Sequence, residues 1–375
     1  MKTYLTIAIL AAIAICGACR KSASNQNSNS NTAAPLQETV GGGAAPAGEK
    51  FYFRGLISDI KIEMTLVRDG ERLTGTYLYP RVGKNIELAG SIDKDGNVDL
   101  READETGKQT GVFKGKWKNN ETGLAEVEGK WSRPDGSKET EFNIWQQPFE
   151  FATARVSSKV IRETNKESRY SIDAEYPQLD GDARFNGFNQ QARAMITKDV
   201  AAFKTSESQP SDQEETPAET LTSTLSIFYD FTIATDDLIS VEFTESEYSR
   251  GAAHGNSVTI VLNYDVKNNK RLGLSDLFTA KSNYLNVISA YCIRDLREQA
   301  KKDKESMIDE DMMKTGTEPR ADNYQASAIT RKGLWITFDP YQVAAYAAGP
   351  QHVLVPYSAL KDVIKPDGPI GKLAG

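Results

Sequence analysis

Four short segments of the chain repeat one arrangement: Leu73-x-Gly75-x-Tyr77, Leu88-x-Gly90-x-Ile92, Phe113-x-Gly115-x-Trp117 and Val127-x-Gly129-x-Trp131. Side chains at i, i+2 and i+4 of a strand lie on one face. Each motif therefore sets a glycine between two large apolar groups on the face to be buried. Glycine inside a strand marks a bend or a close backbone approach. Turn chemistry separates the runs at Asp69-Gly70, Asp95-Gly96-Asn97, Thr106-Gly107, Asn119-Asn120 and Pro134-Asp135-Gly136. Residues 50–147 thus hold a meander of short strands with no helical period. A sheet coiled this strongly closes as a small up-and-down barrel. An all-β, barrel-like N-terminal domain is expected.

Trp117, Trp131 and Trp145 recur every 14 residues, as successive hairpin arms require. They read either as core filling or as a sugar-stacking platform. A small barrel can also hold one apolar ligand, which leaves a carrier role open. Asp93-x-Asp95-x-Asn97 imitates the start of a calcium loop, but Val98 stands where the glycine belongs and no glutamate closes it. A hairpin turn is the expectation there.

Residues 1–18 carry Lys2 and then an apolar run over 5–15 broken only by Thr6. The run is too short for a span of about 20 residues and fits a secretory signal. Gly17-Ala18-Cys19 resembles a bacterial lipobox. Cys16 at −3 departs from it, and Ile15 rules Cys16 out as the acceptor. Cys19 is the expected site of lipidation and membrane anchoring, which places the protein in the bacterial cell envelope, facing periplasm or exterior. Residues 19–49 are poor in apolar side chains and read as a flexible tether.

From residue 151 to 368 strands and helices mix. A helical stripe of Phe185, Phe188, Ala192, Met195, Ile196 and Phe203 runs through 185–204, followed by strand patterns at 225–233, 238–247 and 257–266. Ser282 is a good N-cap for a helix through Lys302, which carries Leu285, Ile288, Cys292 and Leu296 on a core face. Cys292 reads as an inert buried thiol. Strands at 334–338 and 353–355 and a helix at 358–364 complete the pattern. The expected class is α+β, an antiparallel sheet with packed helices.

The stretch 251–257 (GAAHGNS), the segment Leu272–Phe278 before a helix, and the block GLWITFDPYQVAAYAAGPQHVLVPYSALK at 333–361 are similar to the extracytoplasmic RsiV/PdaC-like family. That domain is shared by a lysozyme-sensing anti-sigma factor and a peptidoglycan deacetylase. The resemblance spans about residues 155–366. It implies an exported α+β module and, through the anti-sigma relative, a lysozyme-like protein ligand. The sequence shows no transmembrane helix, no sigma-binding segment and no deacetylase catalytic domain, so only the ligand-facing module carries over.

Candidate ligand-binding residues are Tyr248, His254 and Asn256, around a small-residue loop open to close approach, with Tyr341 and Tyr346 of the 333–361 block. Asp339-Pro340-Tyr341 and Gly349-Pro350 are turn chemistry. Glu242, Glu245 and Glu247 resemble an acid/base set only superficially, since strand faces carry such residues routinely. No G-x-S-x-G, H-E-x-x-H or phosphate loop occurs. No catalytic residue, metal ligand or cofactor is assigned.

The formal net charge of −7 disfavours nucleic acid as a partner. Residues 205–222 hold five acids and no base, and 303–311 five acids and one lysine. The first reads as a disordered insertion, the second as solvated surface or as a collar for a cationic protein. The expected function is a non-enzymatic envelope lipoprotein binding an extracellular protein or cell-wall peptidoglycan. The alternatives are an envelope enzyme or accessory acting on peptidoglycan, and a carrier of a small apolar ligand.

Overall fold

The structure, a computed structural model, describes residues 48–208 and 222–374. The expected signal segment, Cys19, residues 19–47 of the tether and residues 209–221 of the acidic insertion lie outside the described residues.

Eight antiparallel strands, β1 (Glu49–Ile57), β2 (Ile60–Asp69), β3 (Arg72–Leu78), β4 (Asn85–Ile92), β5 (Asn97–Ala103), β6 (Gln109–Asn119), β7 (Ala125–Ser132) and β8 (Thr140–Gln147), pair in sequence order. The closing pair is β1 with β8. The repeated motifs do what their spacing implies. Leu73, Tyr77, Leu88, Ile92, Phe113 and Val127 are buried. Gly115 and Gly129 stand opposite each other in the β6–β7 ladder. A Cβ on Gly129 would lie 2.1 Å from the Lys114 carbonyl oxygen and 2.4 Å from Gly115 Cα. Glycine lets the barrel wall bend to this radius.

The barrel interior is filled by its own side chains, with Phe113 packed edge-on to Tyr77 at 5.4 Å and to Phe142 at 5.0 Å. This packing lends the carrier reading no support. The tryptophans make no platform. Trp117 is in the core, Trp131 donates to buried Glu102, and Trp145 points outward to Asp230 of the next domain. Asp93 closes a hairpin turn by accepting from the amides of Asp95 and Asn97.

The second unit is built on a seven-stranded sheet ordered β10 (Arg155–Asn165), β11 (Tyr170–Asp180), β12 (Ser223–Thr235), β13 (Leu238–Tyr248), β14 (Asn256–Asp265) and β15 (Lys270–Leu272), with β9 (Phe149–Glu150) pairing to the far end of β12. The expected α+β class holds, with an antiparallel sheet except where β12 meets β11 and β9, which it pairs in parallel. Helix α1 (Asn186–Glu207) lies between β11 and β12 and reverses the chain, so the two strands run the same way. α1 buries Phe188, Ala192, Ile196, Val200 and Phe203, each large one contributing about 1.5–3 kcal/mol. Asn189 pins α1 to β11 by bonding both the amide and the carbonyl of Leu179.

A second core lies beneath a three-stranded antiparallel sheet of β16 (Ser327–Ile329), β17 (Gly333–Phe338) and β18 (Gln351–Pro356). Against it pack helix α2 (Tyr284–Lys302), short helix α3 (Glu310–Gly316) and two single turns, α4 (Tyr357–Leu360) and α5 (Gly371–Ala374). Ser282 is not the N-cap. α2 starts two residues later behind Asn283, without a side-chain cap, and the Ser282 hydroxyl is buried without a partner. Cys292 is fully buried, and burial pushes its thiol up. The small sheet is stitched to the large one by polar groups: Ser240 and Asn263 accept from the Ile329 amide, and Thr232 donates to its carbonyl.

Candidate functional site

The turn Asp339–Gln342 closes with the Gln342 amide on the Asp339 carbonyl at 3.0 Å. Tyr341, third residue of that turn, has φ +71°, where glycine or asparagine is preferred. Its ring is 56% exposed. Gln342 fixes the turn below by donating to the carbonyls of Gly316 and Asn323 at 3.0 and 2.9 Å. Tyr346 follows, and its hydroxyl donates to the Gly255 carbonyl at 2.5 Å. That bond joins the 341–348 segment to the hairpin loop between β13 and β14.

His254 lies in this loop and stacks on Tyr346 at 4.0 Å between ring centroids, with Tyr341 at 5.5 Å on Tyr346 as well. Three of the five candidate residues thus form one run of rings. Tyr248 and Asn256 do not join it. Tyr248 ends β13 opposite Thr224, and Asn256 opens β14 opposite Glu247. Both belong to the hairpin stem.

The acidic segment 303–311 reaches the same face. Ile308 bridges Ala344, and the Asp309 amide donates to the Val343 carbonyl at 3.1 Å. Met307, 51% exposed, precedes that bridge. Asp309 caps α3 through the amides of Asp311 and Met312, and Glu310 pairs with Arg297. Asp303, Glu305 and Asp311 remain turned to solvent. No sequence signal linked 303–311 to 341–346, because the link is two backbone contacts.

The glutamates of β13 do not form a set. Glu242 faces the small sheet, where the Thr337 hydroxyl lies 3.3 Å away. Burial, with Asp230 and Asp339 adding like charge, pushes it up to about 8. Glu245 points to the opposite face and is pushed up to about 7 by burial, Asp199 and Glu247. His352 of β18 stacks on Trp335 at 5.0 Å, and burial lowers it to about 4. Two surface pockets of ≈ 460 and ≈ 420 Å³ lie elsewhere, near Arg184 and Asp236 and on the Arg294 side of α2. Among the described residues no group of three His, Cys, Asp or Glu is arranged to hold a metal, and no helix is long and apolar enough to cross a membrane.

The barrel is locked to the large sheet by a joint that sequence reasoning missed. The parallel β11–β12 ladder stops at Ala174 and Ile227. Beyond it the backbone of β12 is satisfied by the barrel: Arg54 donates to the Tyr229 carbonyl, and the Phe231 amide donates to Gln147. Arg54 also pairs with Glu175 at 2.5 Å and lies over the Tyr229 ring. Lys61 reaches Glu175 at 2.6 Å. Burial opposes ionisation of Glu175, but Arg54 and Lys61 outweigh it and hold the carboxyl below its ordinary value.

Residues 163–257 match the family model described as Deacetylase PdaC, and residues 275–358 the one described as Protein of unknown function (DUF3298). The C-terminal domain is PdaC/DUF3298-like. The resemblance carried by 251–257 and 333–361 therefore holds for its PdaC part. Peptidoglycan-N-acetylmuramic acid deacetylase PdaC of Bacillus subtilis (strain 168) is 28% identical over 228 residues, 61% of this chain and 45% of that protein. The chain thus spans less than half the length of that relative. A solved DUF3298 family structure from Bacteroides fragilis NCTC 9343 aligns with TM-score 0.41 and 17% identity, over 59% of this chain and 97% of that one. Another, from Pseudomonas aeruginosa PAO1, gives TM-score 0.41 and 18%, over 56% and 94%. Within the PdaC/DUF3298-like domain, the first family match takes in His254 and the second Tyr341 and Tyr346, so the ring face is assembled from both.

Proposed function

We propose that the protein is a non-enzymatic module of the bacterial cell envelope, anchored through a lipid on Cys19, whose PdaC/DUF3298-like domain binds a cationic extracellular protein of the lysozyme type. The envelope setting is supported by the PdaC relative, whose name assigns it to peptidoglycan. The protein ligand is supported by one observation: the Ile308–Ala344 bridge seats an acidic segment beside the exposed rings of Tyr341 and His254 and the half-buried ring of Tyr346. Aromatic anchors next to complementary charge are what a desolvated protein hot spot needs. A catalytic reading has less support, since the carboxyls with raised values are spread over two faces of the sheet.

Binding of fragment 48–374 to immobilised lysozyme and to purified sacculi tests the reading. Lysozyme binding is expected, weakened at least about tenfold by Tyr341→Ala or Tyr346→Ala and reduced when the acids of 303–311 are neutralised. Binding to sacculi alone, with the same dependence on the tyrosines, would move the ligand to the glycan. Lipid labelling that survives Cys19→Ala would remove the anchor.

A further inference from the structure

The joint between barrel and sheet holds more carboxylates than cations. The outer faces of β1, β2 and β8 supply Arg54, Lys61, Glu63, Trp145 and Gln147, and β11 and β12 supply Glu175 and Asp230. Arg54 is 8% exposed, Glu63 6% and Glu175 4%. Glu175 takes both cations. Asp230 is met by neutral donors, the Trp145 indole and the Gln147 amide. Glu63 stands opposite Arg54 in the β1–β2 ladder; the Ser158 hydroxyl of β10 bonds its carboxyl, but its Oε1 is buried without any partner. Asp173, at the rim, has cations of its own in Arg81 and Arg162 besides Lys61. Glu242, opposite Asp230 on β13, adds a further carboxyl behind the joint and no cation. Arg54 and Lys61 therefore face Glu63, Glu175 and Asp230.

A buried carboxylate with one oxygen unpartnered, sharing its cation with Glu175, is costly to ionise, and such a group holds a proton instead. We propose that the joint is a proton-dependent clamp: the barrel seats firmly on the sheet while Glu63 is protonated and loosens when Glu63 ionises. Burial, with the Glu175 charge adding to it, raises Glu63 from 4.5 to about 7 in the docked state, against the pull of Arg54 and the Ser158 hydrogen bond. Undocking returns Glu63 to water and to its ordinary value. The docked state then binds the proton more tightly, so docking is strongest at low pH. It weakens as pH climbs from about 4.5 to about 7 and levels off above.

The Phe231 amide reports the joint directly, because its acceptor is Gln147 of the barrel. The Phe113 amide, in the barrel wall away from the joint, reports global unfolding. Hydrogen exchange is measured on the full chain carrying Cys19→Ala between pH 5.5 and 7.5, with rates corrected for intrinsic base catalysis. Protection of Phe231 is expected to fall by up to about tenfold per pH unit between 5.5 and 7, with Phe113 unchanged. In Glu63→Gln the Phe231 protection is expected to be flat. Constant protection of Phe231 in the Glu63 chain, an equal fall in Glu63→Gln, or a parallel fall at Phe113 would each overturn the clamp. The first and last readouts need no variant to fold.

Discussion

Tyr341 holds an exposed ring on a backbone that suits glycine, with φ +71° at the third position of its turn. A bulky residue there is strained by about 1–3 kcal/mol. Tyr341→Gly is therefore expected to raise the urea midpoint while losing ligand binding. A fall in both would mean that the ring, and not the turn, stabilises the loop. Gly129 is the opposite case, with no room for a Cβ between Lys114 and Gly115. Gly129→Ala is expected to lose at least about 2 kcal/mol in chemical denaturation. Both residues were visible in the sequence, Gly129 by its place in a repeat and Tyr341 by its Pro-Tyr turn. What was not visible is that Tyr346 reaches across to Gly255, since a hydroxyl-to-carbonyl bond leaves no periodic trace.

Among the elements, the fork between β11 and β12 depends most on another part of the chain. Arg54→Ala would leave Glu175 with Lys61 alone and strand the Tyr229 carbonyl in a buried site, and a loss of roughly 3 kcal/mol is expected. Arg54→Met keeps the packing volume but not the bonds and is expected to fall between. Denaturation of both variants at pH 7 checks the order. The alternation of β1, β2 and β8 was legible, and so was their inward face. Arg54, Glu63, Trp145 and Gln147 sit on the outward face, where polar side chains ordinarily meet water, so nothing marked them as buried. The parallel join was hidden for a similar reason. Strand patterns give length and face, but the partner of β12 depends on how α1 packs.

For the whole molecule, charge is distributed by region. Without residues 1–18 the chain carries −8, of which 205–222 holds −5 and 303–311 holds −4, leaving the remainder near +1. Binding of a cationic protein through 303–311 is therefore expected to weaken with salt over the range in which the screening length falls from about 10 to 3 Å. Affinity independent of salt between 0.1 and 1 M would leave only the rings as the contact. The barrel and the α+β class were legible because each rests on a long hydrophobic period. The ring face was legible in part, through Tyr341, Tyr346 and His254, while its acidic border came only with the fold.

The plug at the fork also decides where the protein can be cut. The PdaC match begins at residue 163, inside β10, whereas the groups that complete β12 come from Arg54 and Gln147. Anyone transplanting this PdaC/DUF3298-like domain onto another carrier should excise it at residue 48. A graft that begins at 151 would carry an open seam in its central sheet.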